Sequence, residues 1–172
     1  PTPESQQARF EVIASSADFT SSSVLDVGCG KGDLLSFLDA RFTGVSYTGI
    51  EQIPEFLAVA RSRFADRPSA HFRHEDFTTA SLPESDHVVA CGALGYHSAE
   101  SGFVFNSITR LFGAARRTLI FNLLDAANPP RHPLLASYDV EEIAAHCRTL
   151  SPSAQVVRGY APGDATYVVM RT

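Results

Sequence analysis

The fold of this chain is decided by the stretch VLDVGCGKG, residues 24–32. Its apolar start predicts a short buried strand over residues 24–28, and its glycines recur at alternate positions. Because glycine has no Cβ, the backbone can turn sharply there and approach a ligand closely. The apolar residues that follow predict a helix over residues 32–41, whose free N–H groups point back at that ligand. The stretch therefore predicts a strand–turn–helix unit with a ligand at the turn.

Segments on either side repeat this pattern of strand and helix. Short apolar or alternating runs predict strands, and amphipathic stretches predict helices. The predicted strands are residues 24–28, 46–51, 70–75, 87–92, 118–124, 155–160 and 165–171. The predicted helices are residues 3–19, 32–41, 54–64, 103–115 and 140–150.

The last two predicted strands are joined directly, with no helix between them. Residues 161–164, Ala-Pro-Gly-Asp, join them by a short reversal that is typical of a hairpin. A parallel crossover needs about a dozen residues or more, so the last strand must be antiparallel. The predicted fold class is α/β: a three-layer sandwich whose seven-stranded, mostly parallel sheet has its last strand antiparallel and helices on both faces.

Length and composition limit the function. The 172 residues predict a single domain, residues 1–172, in which residues 1–20 form an N-terminal helix. The chain starts with Pro1 rather than Met, so we interpret it as processed or a fragment, with that helix as the remnant of a longer cap. A net charge of −5 disfavours a nucleic-acid partner. The lack of a long apolar run disfavours a membrane.

Cysteine usage favours a cytoplasmic protein. The three cysteines, Cys29, Cys91 and Cys147, are widely separated, and none has the spacing of a zinc ligand set. We therefore predict reduced thiols and no metal site.

Two ligand classes compete for the glycine turn. A dinucleotide site has the pattern G-x-G-x-x-G, whereas here the third glycine, Gly32, comes one residue early. Asp26, two residues before the first glycine, would repel a pyrophosphate but suits a ligand with positive charge. Both features count against an NAD-type oxidoreductase.

The same stretch resembles motif I of the class I S-adenosylmethionine-dependent methyltransferases, in which apolar residues and an acid precede Gly-Cys-Gly-x-Gly. The resemblance implies a seven-stranded sheet with a reversed last strand. It also implies S-adenosylmethionine as cofactor, with S-adenosylhomocysteine as product. By this resemblance Asp26, Gly28, Cys29 and Gly30 are expected to bind the cofactor.

Three further segments match the family in the right order. Glu51 is expected to accept hydrogen bonds from the ribose hydroxyls, and Gln52 to flank the adenosine. Asp76 is expected to accept from the adenine amino group, and Phe77 to cover the ring. Residues 86–92 resemble the strand that passes beneath the methionine part of the cofactor, which adds Cys91 to the expected cofactor residues.

Residues that select and activate the acceptor are harder to find. His97 is a candidate acid or base, and Tyr96 could close over the cofactor or line the acceptor pocket; a solvated His97 and a packed Tyr96 remain open alternatives. Residues 128–131, Asn-Pro-Pro-Arg, resemble the box of amino-methylating enzymes but follow the wrong strand and lack its aromatic residue. Cys91 has no neighbouring proline, so we interpret it as a buried thiol and not a nucleophile. His132, in the same proline-rich loop, is better explained as a polar loop residue.

The sequence thus predicts a methyltransferase whose acceptor is a small molecule rather than a nucleic acid. The alternative is a non-catalytic module that binds the same cofactor as a regulator or partner subunit. Little of the chain is left outside the core, so only the N-terminal helix and the loop of residues 125–137 are expected to cover the pocket.

Overall fold

The computed structural model describes residues 2–130 and 132–172, so that Pro1 and Arg131 lie outside the described part. Helices and strands alternate along most of it. The helices are α1 Pro3–Ser16, α2 Asp33–Asp39, α3 Pro54–Arg63, α4 Phe103–Ala114 and α5 Val140–Leu150. The strands are β1 Ser23–Val27, β2 Ser46–Glu51, β3 Ala70–His74, β4 Ser85–Ala90, β5 Ala115–Leu124, β6 Gln155–Arg158 and β7 Asp164–Met170.

All seven strands form one sheet in the order β3-β2-β1-β4-β5-β7-β6. The pairs from β3 to β5 are parallel, whereas β7 is antiparallel to both β5 and β6. This confirms the predicted fold class, including the reversed last strand. The short connection of residues 159–163 leaves no room for a parallel crossover.

Alternating strand residues supply a core on each face of the sheet. On one face, Val24, Val89 and Ile120 pack with apolar residues of α1 and α2. On the other face, Leu25 and Leu119 pack with apolar residues of α4 and α5. The helix α3 packs against β2 and β3. The three predicted layers follow directly from this alternation.

The order of the strands determines where a ligand can bind. From β1 the chain continues to β2 on one side, and β4 then pairs with β1 on the other side. The connections that follow β1 and β4 therefore leave in opposite directions and open a crevice at the carboxyl ends of these strands. The glycine turn of residues 28–32 lies at this crevice.

The first helix is shorter than the sequence predicts. It ends at Ser16 instead of continuing to Phe19. The hydroxyls of Ser15 and Ser16 bond back to the carbonyl of Val12 at 3.0 and 2.6 Å, and serine competes in this way with helical hydrogen bonds. Phe19 is fully buried in the core all the same. Phe19 therefore holds the segment between α1 and β1 against the core and is not part of the helix.

No helix of the described chain is long and apolar enough to cross a membrane.

Tight packing of β2 against the glycine turn leads to a stability prediction. A Cβ at Gly49 would lie 2.6 Å from the Sγ of Cys29 and 3.0 Å from the ring of Phe72. We expect Gly49→Ala to lower the free energy of unfolding by about 1–3 kcal/mol, because the core cannot accept the added methyl group. Urea unfolding would measure the change.

Gly113→Ala is the matched control. This glycine lies in α4, and a Cβ there would meet nothing within 4 Å. The same substitution is expected to raise the free energy of unfolding by up to about 1 kcal/mol, because alanine loses less entropy in a helix. Equal effects at the two positions would contradict the tight packing at Gly49.

Candidate active site

Glycines shape the turn after β1. Gly28, Gly30 and Gly32 have φ angles of 71°, 55° and 78°, which residues with a Cβ rarely adopt. A Cβ at Gly28 would lie 2.7 Å from the Cβ of Ala93, whereas one at Gly30 would meet nothing within 4 Å. Gly28 therefore lets the turns after β1 and β4 touch, and Gly30 faces open space.

Glu51, the last residue of β2, holds this turn in place. Its Oε2 accepts a hydrogen bond from the N–H of Gly30 at 2.8 Å. Its Oε1 accepts from the N–H groups of Gln52 and Ile53 at 2.8 and 2.9 Å. Since a carboxylate offers about four acceptor positions, one remains available to a ligand. Glu51 both supports the turn and faces what binds there.

A cavity of about 330 Å³ opens at the carboxyl ends of β1, β2 and β4. It contains most of the residues expected to bind the cofactor, namely Gly28, Gly30, Glu51, Gln52, Phe77 and Cys91. Asp26 and Cys29 line an adjoining hollow of about 70 Å³, which shares Gly28, Gly30 and Cys91 with the cavity. The structure therefore brings together every residue of that set except Asp76.

Asp76 and its neighbour Glu75 differ from the sequence expectation. The Asp76 carboxylate is exposed and bonds to the N–H and hydroxyl of Thr78 at 2.8 and 2.7 Å, so it caps its own turn. Glu75 lines the 330 Å³ cavity instead. Its Oε1 accepts two hydrogen bonds from Arg73, and its Oε2 is buried without a partner in the described chain. The reason is that β3 ends at His74, one residue earlier than predicted.

Asp26 makes the adjoining hollow electrostatically unusual. Its side chain is buried and accepts a very short hydrogen bond from the hydroxyl of Tyr47. Burial raises the pKa of Asp26 to about 7, the Tyr47 hydrogen bond acts against this, and the charge of Glu51 adds to it. A nearby cation would lower that pKa again. This end of the site therefore favours a positively charged ligand.

Cys91 remains a neutral thiol at neutral pH. Burial, followed by the negative charge of Asp26, raises the pKa of Cys91 to about 12. Since the thiolate is the reactive form, this environment supports the interpretation that Cys91 is not a nucleophile. Its side chain is only partly buried, in the wall of the 330 Å³ cavity, and not in the core as the sequence predicts.

A second, larger cavity of about 750 Å³ adjoins the first. Arg9, Gly92 and Tyr96 line both cavities and form their boundary. Most of the rest of its described wall comes from the end of β5, the loop after β5 and the β6–β7 connection, and it includes the apolar residues Leu124, Ala127, Pro129, Pro130, Leu135 and Pro162. The loop of residues 125–137 and the helix α1 thus contribute to the cavity wall, as the sequence predicts.

Arg9 and Asp164 form a buried ion pair at the boundary. Nε and Nη2 of Arg9 donate to Oδ2 of Asp164 at 3.1 and 2.8 Å. Oδ1 of Asp164 accepts from the amide of Asn122 at 3.0 Å, and Asn122 accepts from the N–H of Gly92 at 2.7 Å. Burial acts to lower the pKa of Arg9, but its interactions with Asp164 outweigh this and raise that pKa.

The two candidate catalytic residues lie in different surroundings. Tyr96 lines both cavities, and it pairs with Leu135 in a short antiparallel bridge between two loops. His97 is exposed and lies outside the described lining of both cavities, with its N–H bonded to the carbonyl of Leu134 at 3.1 Å. His132 is also exposed. The structure therefore brings Tyr96 to the site and leaves both histidines outside it.

Sequence reasoning missed several polar residues of the site, among them Arg9, Glu75, Asn122 and Asp164. Strand alternation could have found Glu75, which lies on the same side of the chain as Arg73. No local pattern identifies the others, because Arg9 and Asp164 are separated by 155 positions along the chain.

No group of three or more His, Cys, Asp or Glu side chains is placed to hold a metal ion in residues 2–130 and 132–172.

Comparison with known proteins agrees with this geometry. A family model described as a methyltransferase domain matches residues 24–113, just over half of the chain. A Mycobacterium tuberculosis protein named as a methyltransferase is 34% identical over an alignment of 112 positions, which covers 55% of this chain and 68% of that protein. The chain belongs to the class I S-adenosylmethionine-dependent methyltransferases.

Two further proteins are similar to nearly the whole length of this chain. Trans-aconitate 2-methyltransferase of Rhizobium meliloti is 27% identical over 175 residues, covering 95% of this chain and 64% of that enzyme. The magnesium protoporphyrin IX methyltransferase of Synechocystis PCC 6803, solved with bound S-adenosylmethionine, superposes with a TM-score of 0.74 at 17% identity, covering 98% of this chain and 80% of that one. The family match contains most of the 330 Å³ cavity, whereas Arg9, Asn122 and Asp164 lie outside it.

Burial of Asp26 predicts a pH-dependent stability. The pKa of Asp26 is about 7 in the folded chain and about 4 in the unfolded chain. Between these two pH values, Asp26 keeps its proton when the chain is folded and loses it when the chain unfolds. The free energy of unfolding should therefore fall as the pH rises through this window. Across the whole window, the titration of Asp26 is expected to lower the free energy of unfolding by up to about 4 kcal/mol. Asp26→Asn removes this pH dependence, because an amide does not titrate.

Urea unfolding of both proteins at about pH 5 and pH 8 would test this, because the other titrating groups are the same in each. Stability should decline more steeply in the wild type than in Asp26→Asn. Parallel pH profiles would mean that Asp26 titrates normally in the folded protein.

Proposed function

We propose that this protein transfers a methyl group from S-adenosylmethionine to a small-molecule acceptor. The observation that carries this proposal is the pair of adjoining cavities. The 330 Å³ cavity lies at the glycine turn, the 750 Å³ cavity lies beside it, and Arg9, Gly92 and Tyr96 separate them. The larger volume is within the range of about 300–1,000 Å³ that is usual for small-molecule sites.

Residues of the 330 Å³ cavity fit the proposed cofactor. The buried Oε2 of Glu75 has no partner in the described chain, and the adenine amino group would supply the missing donor. The remaining acceptor position of Glu51 suits a ribose hydroxyl. Phe77 lines the cavity as an apolar surface for the adenine ring. Asp26 provides negative charge for the cationic sulfur and amino group.

S-adenosylmethionine supplies a methyl group on a sulfonium, which is already a strong electrophile. The protein's contribution is therefore to align the reactants and to exclude water. Glu51 and Glu75 would bind the nucleoside end of the cofactor. The turn at Gly30 leaves space for its methionine part. Tyr96, on both cavities, would lie beside the reacting groups and help to shield them.

Charge and composition support a small acceptor in the cytoplasm. The net charge of −5 disfavours nucleic acid as the acceptor. Cys29, Cys91 and Cys147 are free thiols, as is usual in a reducing compartment.

The pairing of Glu75 with the adenine amino group gives a sharp test of the cofactor site. We expect Glu75→Gln to weaken S-adenosylhomocysteine binding by about tenfold or more, because a hydrogen bond to a charged group contributes about 1.5–3 kcal/mol. Isothermal titration calorimetry would measure the affinities.

Asp76→Asn is the matched control, since Asp76 is the adjacent acid and bonds only within its own turn. It should leave the affinity nearly unchanged. S-inosylhomocysteine, in which a carbonyl oxygen replaces the amino group, should bind Glu75→Gln at least as tightly as the wild type, because the Gln amide can donate to that oxygen. A larger loss in Asp76→Asn than in Glu75→Gln would place the adenine elsewhere.

Catalysis itself is tested with methyl-labelled S-adenosylmethionine and a fractionated extract of small metabolites. Labelled product and S-adenosylhomocysteine should form in equal amounts. Tight binding of S-adenosylhomocysteine with no transfer to any fraction, including protein and RNA, would favour the non-catalytic module. Binding of NADH with none of S-adenosylhomocysteine would overturn the proposal altogether.

A further inference from the structure

Arg9 has donor capacity that the fold does not use. Its side chain is only 10% exposed, and both of its hydrogen bonds, from Nε and Nη2, go to the same oxygen of Asp164. The other terminal nitrogen, Nη1, makes no hydrogen bond with the described chain. Since Arg9 lines both cavities, this nitrogen is a cationic donor available at their boundary.

The packing of α1 does not explain why a guanidinium is buried here. Phe10 and Ile13 of the same helix already fill the core against α2 and the sheet. Taking an ion pair out of water costs free energy that its mutual attraction only partly offsets. A buried Arg9–Asp164 pair at the boundary of two cavities is therefore better explained by a ligand than by stability.

The boundary also lacks an obvious proton acceptor. Among the described residues that line the two cavities, none is a histidine or a lysine. Both oxygens of Asp164 already accept hydrogen bonds, from Arg9 and from Asn122. Cys91 holds its proton because burial raises its pKa to about 12. The carboxylates of Glu51 and Glu75 lie in the 330 Å³ cavity and not in the 750 Å³ one, so an acceptor whose nucleophile is already deprotonated fits the boundary best.

We propose that the acceptor is a small carboxylic acid whose carboxylate binds Nη1 of Arg9 through one oxygen and is methylated on the other. This inference rests on the proposed methyltransferase function. Transfer forms one C–O bond and breaks one C–S bond, whose electron pair stays on sulfur. A carboxylate and a sulfonium become a methyl ester and a thioether. No proton is released, so no base is needed.

Charge at the boundary suits this reaction. Asp164 balances the charge of Arg9, so the pair does not repel a cationic cofactor, while the guanidinium still presents N–H donors to an anion. The cofactor's own methionine carboxylate is a second anion that Arg9 could bind. We favour the acceptor because Asp164, the partner of Arg9, and Asn122, which donates to Asp164, line the 750 Å³ cavity and not the 330 Å³ one.

The first arm of the test needs no variant. Calorimetry on the wild type with saturating S-adenosylhomocysteine would titrate benzoate, glutarate and trans-aconitate, each against its primary amide. At least one acid should bind about tenfold or more tightly than its amide. If no acid exceeds its amide at millimolar concentration while S-adenosylhomocysteine binds, the inference is wrong and the proposed function stands. Failure of S-adenosylhomocysteine to bind would instead refute the proposed function.

The second arm uses Arg9→Lys, which keeps the charge facing Asp164 but removes the forked donor. It should abolish the preference for the acid and leave S-adenosylhomocysteine affinity within a few-fold of the wild type. Arg41→Lys is the control. Arg41 forms an ion pair with Glu11, which lies in α1 as Arg9 does, but this pair is at the surface. If Arg9→Lys weakens S-adenosylhomocysteine but not 5′-methylthioadenosine, and acids still bind, then Arg9 serves the cofactor and the inference is overturned.

Discussion

Gly28 and Cys29 donate their N–H groups to the carbonyl of Ile50, and Gly30 donates its own to Glu51. These hydrogen bonds tie the turn after β1 to the end of β2. They work only because glycine can adopt positive φ and because Gly28 lets Ala93 approach from the other side. The carboxyl ends of three strands are thereby fixed relative to one another. Both cavities take their position from this arrangement.

The two ends of the site differ in charge, and the difference follows from burial. Around the glycine turn, the carboxyl groups of Asp26, Glu51 and Glu75 line two adjoining hollows, which suits a cationic cofactor. At the boundary with the larger cavity, Arg9 and Asp164 balance each other. The site thus attracts positive charge on one side and offers hydrogen-bond donors on the other. Under the proposed function, a methyl group would pass from one side to the other without a residue that accepts a proton.

The two cavities are formed by different parts of the chain. Most of the 330 Å³ cavity comes from residues 24–113, which match the methyltransferase family model. The 750 Å³ cavity comes mainly from α1, the loop after β5 and the β6–β7 connection, outside that match. Under the proposed function, a common cofactor and an acceptor that differs between enzymes would explain this division, because loops can change without disturbing the sheet that carries them.

The sequence by itself determined the order of elements, the reversed last strand, the glycine turn and the position of Glu51. All of these follow from local signals: apolar periodicity, glycine spacing and a connection too short for a crossover. It missed the choice between Glu75 and Asp76, because a strand end that moves by one residue turns the other side chain toward the site. Only the tertiary structure decided that Tyr96 faces both cavities while His97 points away, and that Arg9 meets Asp164. The physical reason is that such contacts depend on how distant segments pack, and no spacing in the chain records a pairing across 155 positions.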